Sequence, residues 1–194
     1  SQYYFPMFEE VLDKHNLPLE IKYLAVVESA LKPRAKSRVG ATGLWQFMFA
    51  TGKQYGLEVS SYVDERCDPL RSTNAAAKYL GSLYKTFGDW DLALAAYNSG
   101  PGNVTKAIRR SGGYQNYWNI RPFLPSETAG YLPAFLATLY LFEYAEAHGF
   151  QVEQNQLPII ATDTIHVKQM ISLDQVAELT DTNIETLQHL NPSY

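Results

Sequence analysis

The sequence predicts a mainly α-helical protein. Apolar residues recur at helical spacing through most of the first 150 residues, Gly and Pro interrupt that spacing at intervals, and Asp or Ser stands where helices would begin. After Gly149 the pattern changes, and the remaining residues predict a linker followed by a small α/β segment. We therefore expect a helical domain over residues 1–150 and a linker plus small module over residues 151–194.

The first third of the helical domain predicts three helices. Residues 4–16 have the apolar spacing of a short helix. Asn16 is a candidate cap for the second helix, Pro18 suits its first turn, and the helix should run to about Leu31. A Gly-containing loop, SRVGATG, separates it from a third, short helix in WQFMFATGKQYG.

The middle of the chain carries clear helix start and stop signals. Asp68 and Pro69 predict the beginning of a long helix through STNAAAKYLGSLYKTF, which Gly88 ends. Asp89 is a candidate cap for DLALAAYN, and Asn103 is a candidate cap for VTKAIRRS.

The end of the helical domain and the tail complete the prediction. Residues 112–125 are expected to form a loop, and Ser126 is expected to cap a long helix ending at Gly149 and kinked or delayed by Pro133. In the tail, DTIHVKQ alternates like a strand, whereas SLDQVAELT and NIETLQHLNPSY predict two helices.

Charge and hydropathy exclude several classes of protein. Net charge is −4, from 16 basic and 20 acidic residues, and no basic run stands out, so we expect no nucleic-acid partner. No apolar stretch reaches the length of a membrane-spanning helix. The opening SQYYFPMFEE has neither the basic nor the apolar region of a signal peptide, so the sequence alone does not indicate a compartment.

Cysteine and histidine suggest neither a disulfide framework nor a metal centre. Cys67 is the single cysteine, and it lies in a polar stretch without a nucleophile motif. The histidines have no metal-ligand spacing: His15, His148, His166 and His189. The glycines form no phosphate-binding loop, and we expect no cofactor.

One carboxylate stands in an unexpected position. In PLEIKYLAVVESAL the apolar stripe of the helix contains Ile21, Leu24 and Leu31, and Glu28 falls within the same stripe. A carboxyl held against apolar surface has a raised pKa, because desolvation disfavours its charged form. Such a group can stay protonated near neutral pH and act as a general acid, as glycosidic bond cleavage requires. We also expect Ser29 and the Gly-rich loop to leave this carboxyl open to a cleft.

Four blocks identify a family resemblance. VVESALKPRAKSRVGATGLWQFM resembles the soluble-lytic-transglycosylase family, which has a lysozyme-like fold. The likeness continues, in the family's order, at residues 64–80, at ALAAYNSGPG and at PSETAGYL, and it covers roughly residues 15–145. The tryptophan in GLWQ is similar to the membrane-bound lytic murein transglycosylase D type.

The resemblance implies one catalytic residue, Glu28, acting as acid and then base. It implies a set of substrate-binding residues that surround this glutamate: Ser37, Gln46, Met48, Tyr97, Asn98 and Tyr131. Ser37 would bind the N-acetyl region of the substrate. Phe49 departs from the pattern, since many relatives have proline there, and this affects the local loop. Glu127 lies in the last block but is explained by the dipole at a helix start, so we leave it outside the predicted site.

The tail resembles a LysM glycan-binding module. Its best marker is LNP near the end of the chain. It departs from the LysM pattern because Gln169-Met170 stand where a Gly-Asp turn is expected and because no second strand follows. Every predicted site residue lies between Glu28 and Tyr131, so we interpret the tail as separable from the chemistry.

The activity that the resemblance implies is non-hydrolytic cleavage of peptidoglycan. The bond between N-acetylmuramic acid and N-acetylglucosamine would be broken to leave 1,6-anhydromuramoyl ends, a lyase reaction. The expected partner is the peptidoglycan glycan strand, and the expected location is the bacterial periplasm or cell envelope, with anchoring through a segment outside this chain. We expect a monomer.

Two other functions remain open at this point. A true hydrolase, such as a goose-type lysozyme, would use a second carboxylate, for which the chain offers the following candidates: Glu58, Asp64, Glu65 and Asp68. A catalytically inactive glycan-binding protein is the other alternative, and the LysM-like tail favours it.

Overall fold

The computed structural model describes residues 3–150 and 164–194. Its α-helices follow in chain order: α1 Phe5–Lys14, α2 Leu24–Ser29, α3 Phe49–Gln54, α4 Pro69–Phe87, α5 Trp90–Ser99, α6 Pro101–Arg110, α7 Tyr117–Ile120, α8 Ser126–Glu143, α9 Leu173–Thr180 and α10 Ile184–Leu190. Short 3₁₀ turns lie at Leu19–Tyr23, Arg121–Phe123 and Glu146–His148. In the described residues, β pairing is limited to isolated bridges, so the predicted mainly α class is confirmed.

Two of the predicted caps are confirmed by their hydrogen bonds. The Asp68 side chain accepts from the backbone N–H of Arg71 at the start of α4, and Gly88 ends that helix at φ 67°. The Asp89 side chain accepts from the Leu92 N–H at the start of α5. In both cases a short carboxylate meets backbone donors that have no partner within the first turn of the helix.

Three other caps were predicted wrongly. Asn16 has a left-handed backbone, φ 54°, and its N–H donates to Asp13 O, so it terminates α1 instead of starting the next helix. Asn103 lies inside α6, because Pro101 already begins that helix. Ser126 is already the first residue of α8, and the cap position before it is occupied by Pro125, which has no side-chain acceptor.

The segment predicted as a loop over residues 112–125 contains a short helix. Asn116 caps α7 by accepting from the N–H groups of Trp118 and Asn119. Tyr117 is fully buried beneath this turn. The Gly residues that indicated a loop, Gly112 and Gly113, lie before the helix rather than within it.

Pro133 lies inside α8 without ending it. Proline has no N–H, so the Ala129 carbonyl lacks its usual donor from the next turn of the helix. The Arg121 Nε donates to this oxygen at 2.8 Å, and the Tyr117 hydroxyl lies 3.0 Å from it and from Thr128 O, between which its hydrogen is shared. These two donors, both from the segment around α7, satisfy the carbonyl, so the helix continues past the proline.

The core lies between α1, α2, α4, α5 and α8. Its largest fully buried side chains include Trp45, Phe8, Leu24, Leu80 and Leu132. The Trp45 indole packs on Phe8, with ring centroids 5.2 Å apart, and its Nε1 donates to Thr73 Oγ1 at 2.9 Å. This satisfied tryptophan fixes the segment after the Gly-containing loop onto the core.

Both helices predicted in the tail are present. Ser172 and Gln175 form a capping box at the start of α9, and Asn183 caps α10. The strand predicted over residues 163–169 is absent from its described part, 164–169, which has no regular secondary structure. A strand needs a neighbour to take up its backbone hydrogen bonds, and the tail has no second strand pattern to supply one. The linker predicted to begin after Gly149 lies largely outside the described residues.

No helix within the described ranges is long and apolar enough to cross a membrane.

The loop between α2 and α3 packs closely on the segment before α4. Gly43 has φ +90°, and a Cβ built there would collide with the Arg66 carbonyl oxygen. Gly40 in the same loop has φ +89° but open space around its Cβ position. Both glycines therefore need the left-handed backbone that glycine adopts easily. Only at Gly43 does the absence of a side chain also allow the Arg66 backbone to lie close by.

We expect Gly43→Ala to destabilise the protein more than Gly40→Ala. Both variants incur the cost of a left-handed L-residue, about 1–2 kcal/mol. Gly43→Ala should lose roughly 1–3 kcal/mol more, because the Arg66 backbone has to shift. Urea unfolding of both variants measures the difference. Equal destabilisation would contradict the packing described here.

Candidate active site

Glu28 lies in the last turn of α2, on the face that packs against α8. The apolar stripe that predicted the position of Glu28 is buried at Ile21, Leu24 and Ala25. Tyr131, buried in α8, donates its hydroxyl hydrogen to Glu28 Oε1. The carboxyl is therefore held between two helices, with one phenol as its hydrogen-bond partner.

The environment of Glu28 favours its protonated form. Its pKa is raised from 4.5 to about 7. Desolvation is the largest cause, the hydrogen bond from Tyr131 opposes it, and the negative charge of Glu127 adds to it. A carboxyl with this pKa is present in both protonation states near neutral pH, so it can donate a proton and take one back.

The chain turns away from α2 immediately after Glu28. Ala30 and Leu31 both have left-handed backbones, with φ 50° and 60°, so the helix ends earlier than predicted. The Ser29 hydroxyl lies 2.9 Å from the carbonyl oxygens of both Ala25 and Leu44. Ser29 is therefore buried and joins the helix to the following loop, while Glu28 beside it stays partly exposed.

The site loop, residues 35–47, is held through its carbonyl oxygens. Arg66 Nη1 donates to Gly40 O at 3.1 Å and to Phe47 O at 3.2 Å. The same guanidinium is paired with Asp64 through Nε at 2.9 Å and Nη2 at 2.7 Å. Arg66 is almost completely buried, and its planar fork connects the loop to the segment before α4.

Gln46 supports the loop from inside. Its Nε2 donates to Ala35 O at 3.1 Å and to Gly43 O at 2.9 Å, and its backbone is left-handed, φ 47°. The amide nitrogen is thus engaged with the loop itself. This contact differs from the predicted one with substrate, and it leaves the side-chain carbonyl oxygen as the polar atom that can face a ligand.

Ser37 lies at the start of the loop's turn and is half-buried. Its Oγ accepts from the Ala41 N–H at 3.0 Å, and its N–H donates to Ala41 O at 2.9 Å. Because the hydroxyl oxygen acts as an acceptor here, its own hydrogen is directed elsewhere and can be donated to a ligand.

Tyr97, near the end of α5, supports the loop from below. Its hydroxyl donates to Trp45 O at 2.7 Å, and its ring packs beside Tyr79 at a centroid distance of 5.3 Å. Burial and the nearby charge of Glu28 raise the pKa of Tyr97 well above its ordinary value. Tyr97 therefore lies close to Glu28, with its hydroxyl proton engaged at the loop.

Asn98 faces the first turn of α8. Its Oδ1 accepts from the buried Thr128 hydroxyl at 2.8 Å, and its Nδ2 lies 3.5 Å from Glu127 Oε1. Because the Thr128 hydroxyl donates to Oδ1, the orientation of the Asn98 amide is fixed, with the donor Nδ2 on its other edge. α5 and α8 therefore meet at the site through a polar contact, and Glu127 belongs to its rim.

Met48 completes the residues predicted from the sequence. It precedes α3, with an extended backbone, and its side chain is 45% exposed. The neighbouring Phe49, where the family pattern departs, begins α3 and is also exposed. These two side chains form an apolar edge beside the loop and have no part in the core.

The structure adds residues that sequence reasoning left out of the site. Glu127 was set aside as a helix-dipole residue, yet its charge acts on Glu28. Thr128 and Arg66 were not singled out. The threonine could have been noticed from its place in PSETAGYL; nothing in the local pattern around Arg66 indicates that its side chain is buried.

Three of the four carboxylates that a two-carboxylate hydrolase could use have contacts of their own, and the fourth, Glu58, is exposed. Asp64 is bound to Arg66. Burial raises the pKa of Asp64, but the hydrogen bonds and positive charge of Arg66 outweigh this effect, so the pKa is lowered. Glu65 accepts from the Glu58 N–H at 2.8 Å and pairs with Arg71. Asp68 caps α4.

Cys67 is buried, and desolvation raises the pKa of its thiol, which disfavours the nucleophilic thiolate. Among the described residues, no cluster of His, Cys, Asp and Glu side chains could hold a metal ion.

The fold and the site together define a helical domain in which one partly buried carboxyl, that of Glu28, is present in both protonation states near neutral pH. The chain belongs to the family described as Transglycosylase SLT domain, which residues 6–120 match. Residues 161–194 match the LysM-like domain of lytic transglycosylase MltD. Both resemblances stated from the sequence are therefore confirmed.

Curated relatives agree with this family. The chain is 35% identical over 182 residues to the membrane-bound lytic murein transglycosylase D of Escherichia coli, covering 92% of this chain and 40% of that protein. It is 35% identical over 127 residues to the soluble lytic murein transglycosylase of the same organism, covering 62% of this chain and 20% of the relative. The chain thus spans less than half the length of these relatives.

Solved structures agree as well. The 70 kDa soluble lytic transglycosylase of E. coli superimposes with a TM-score of 0.62 and 31% identity, covering 74% of this chain and 24% of that one. A complex of the 70 kDa soluble lytic transglycosylase with bulgecin A gives a TM-score of 0.63 and 30% identity over 74% of this chain and 24% of that one.

We expect Tyr97→Phe to destabilise the site loop and the protein. The change leaves the buried Trp45 carbonyl without its donor, which should cost about 1–3 kcal/mol. Tyr84→Phe is the matched control, since Tyr84 is 39% exposed, and it should stay within about 0.5 kcal/mol of the parent. Urea unfolding at constant m-value measures both. Equal stabilities of the two variants would contradict a supporting role for the Tyr97 hydroxyl.

Proposed function

We propose that this chain cleaves peptidoglycan as a lytic transglycosylase, with Glu28 as its single acid and base. The observation that carries the proposal is the desolvated Glu28 carboxyl with a pKa of about 7, bound by Tyr131 within a transglycosylase-family domain. The substrate class is supported by the murein transglycosylases to which the chain is similar.

The first step transfers a proton from Glu28 to the oxygen that links N-acetylmuramic acid to N-acetylglucosamine. As this bond breaks, positive charge develops at the muramoyl anomeric carbon, and the substrate's own N-acetyl oxygen stabilises it. Ser37, whose hydroxyl oxygen already accepts from Ala41, donates its hydrogen to the N-acetyl group and orients it.

The second step returns the proton. Glu28, now ionised, takes the hydrogen of the muramoyl C6 hydroxyl, whose oxygen attacks the anomeric carbon. The product is a 1,6-anhydromuramoyl end, and no water enters the product. One carboxyl serves both steps because its pKa lies close to the working pH.

The remaining site residues bind and position the glycan strand. Tyr131 stabilises the ionised form of Glu28 after the first transfer through its hydrogen bond. Asn98, with its amide oriented by Thr128, and Gln46, through its side-chain oxygen, provide polar contacts. Met48 provides an apolar edge, and Tyr97 holds the loop from below.

We assign catalysis to residues 1–150 and the linker with the LysM-like module to residues 151–194. We propose the glycan strand of peptidoglycan as the partner and the bacterial periplasm or cell envelope as the location. Similarity to a membrane-bound relative supports that location.

A hydrolase is the second candidate, and one observation favours it. Glu127 is a carboxylate close enough to act on Glu28, and it could activate a water molecule instead. The mass of the products separates the two reactions, because transglycosylation products are lighter by one water than hydrolysis products. Mass spectrometry of digested peptidoglycan should detect anhydro ends, and hydrated ends alone would exclude transglycosylation.

We expect Glu28→Gln to lower turnover by roughly 10²–10⁴-fold, since the amide keeps the shape of the side chain but cannot transfer a proton. The protein should stay folded, because the neutral amide avoids the cost of a desolvated charge. Glu20→Gln, an exposed change on the preceding turn, is the control and should keep full activity. Clearing of peptidoglycan suspensions measures both; residual turnover close to the parent would remove Glu28 from this role.

We expect activity to fall as pH rises through about 7, the pKa of Glu28, because the reaction begins with its protonated form. Tyr131→Phe should move this alkaline limb to higher pH, because its hydrogen bond stabilises the carboxylate. Glu127→Gln should move it to lower pH, because a repelling charge is lost. The pH dependence of kcat/KM is the measurement.

An exposed carboxylate on α1 provides the control for these shifts. Glu10→Gln should leave the alkaline limb where it is. A limb that does not move in Tyr131→Phe or Glu127→Gln would mean that another group controls the pH dependence.

A further inference from the structure

The end of the chain is attached to the catalytic domain through Arg34. The Arg34 Nε donates to Pro192 O at 3.1 Å. Its Nη2 lies near three further carbonyl oxygens of the same segment: Gln188 at 3.2 Å, Tyr194 at 3.2 Å and Asn191 at 3.5 Å. One guanidinium therefore binds the carbonyl groups at and beyond the end of α10.

A second attachment lies at Asp64. Its backbone N–H donates to Ser193 O at 2.8 Å. Pro192 and Ser193 are both buried, although most of the tail is exposed. The ring of His189 also contacts Tyr3, at a centroid distance of 6.1 Å. The last turn of the tail is therefore packed on the domain.

The chemistry of this contact is selective for arginine. The carbonyl groups at the end of a helix have no partners within it and carry the negative end of the helix dipole. Arginine offers several donors in a fixed plane with a permanent positive charge, so it can bind several carbonyls at once. Lysine has a single nitrogen and cannot span the same set.

Both attachments adjoin the supports of the site loop. Arg34 directly precedes Ala35, whose carbonyl accepts from Gly43 N at 2.9 Å and from Gln46 Nε2 at 3.1 Å. Asp64 holds Arg66, which in turn holds the loop at two carbonyls. The tail thus contacts the two residues next to the fixed points of the loop that carries Ser37.

We propose that residues 184–194 act as an intramolecular clamp on the site loop, with Arg34 as the positioning residue. The segment contacts Arg34, which precedes the site loop, and Asp64, which binds the Arg66 side chain that holds the loop. Its effect on cleavage rests on the proposed function, whereas its effect on the loop does not. The tail is then not separable from the site, in contrast to the interpretation drawn from sequence alone.

Hydrogen exchange of the full chain, with cleavage kinetics alongside, tests this clamp. In Arg34→Ala, amides of residues 184–194 and the bonded loop amides of Thr42, Gly43 and Phe47 should exchange at least about tenfold faster, while α4 amides stay unchanged. Arg34→Lys should restore protection only in part. Arg38→Ala, an exposed arginine in the same segment, is the control and should match the parent.

Deletion of residues 191–194 provides a second variant, because it removes most of the acceptors without touching Arg34. It should reproduce the loss of loop protection. With soluble glycan fragments, both variants should raise KM several-fold and leave the alkaline limb of the pH profile in place, since the contacts of Glu28 with α8 are unchanged.

Two results would overturn the clamp. Unchanged exchange of residues 184–194 in Arg34→Ala would mean that Arg34 does not hold the tail. Faster exchange of the tail with an unchanged loop would mean that the attachment has no bearing on the site. An inactive parent protein would reject the proposed function alone, since exchange is measured without substrate.

Discussion

Burial of the Glu28 carboxyl between α2 and α8 is the constraint on which the site depends. Desolvation raises its pKa to about 7, and a single phenol, Tyr131, is its hydrogen-bond partner. In the unfolded chain the group would ionise near 4.5. The raised pKa therefore has no effect on stability below that pH, and it lowers the stability of the fold increasingly up to about pH 7, by on the order of 3 kcal/mol. The protein retains an unfavourable group where the proposed chemistry needs one.

Several residues near Glu28 have strained backbones. Three non-glycine residues of this region, Ala30, Leu31 and Gln46, have left-handed backbones, each costing on the order of 1–3 kcal/mol. Such conformations persist only where surrounding contacts determine them. Arg66 and Tyr97 bind the carbonyl oxygens of Phe47 and Trp45 on either side of Gln46, so its strained backbone is supported by side chains outside the loop. We infer that rigidity of the loop, rather than the number of contacts to substrate, positions Ser37.

Much of this arrangement could be predicted from the sequence, because its signals are local. Asp68 and Asp89 stand directly before apolar helical patterns, and Glu28 interrupts an apolar stripe at helical spacing. Other features depend on distant partners. Pro133 does not end α8 because Tyr117 and Arg121, remote from it in sequence, satisfy the carbonyl that it leaves. Patterns within a short stretch of sequence do not predict such contacts.

In the site, too, local signals could be predicted from the sequence and contacts with distant residues could not. Tyr97 and Tyr131 could be placed in the site through their family blocks, but the hydrogen bonds of Gln46 to Ala35 and Gly43 could not, because they depend on the path of the loop. The influence of Glu127 was missed since a carboxylate at a helix start already has a sufficient explanation. The docking of the tail on Arg34 was missed because a LysM-like pattern predicts an independent unit.

The acid role of Glu28 is tested most directly by titration of its carboxyl in the substrate-free protein. Carbon-13 NMR of glutamate-labelled protein, with Glu28→Gln to assign the signal, would follow this group alone. We predict a midpoint near pH 7, well above the ordinary value of 4.5. A midpoint at the ordinary value would show that Glu28 is ionised and solvated at neutral pH, and it would contradict the proposed acid role.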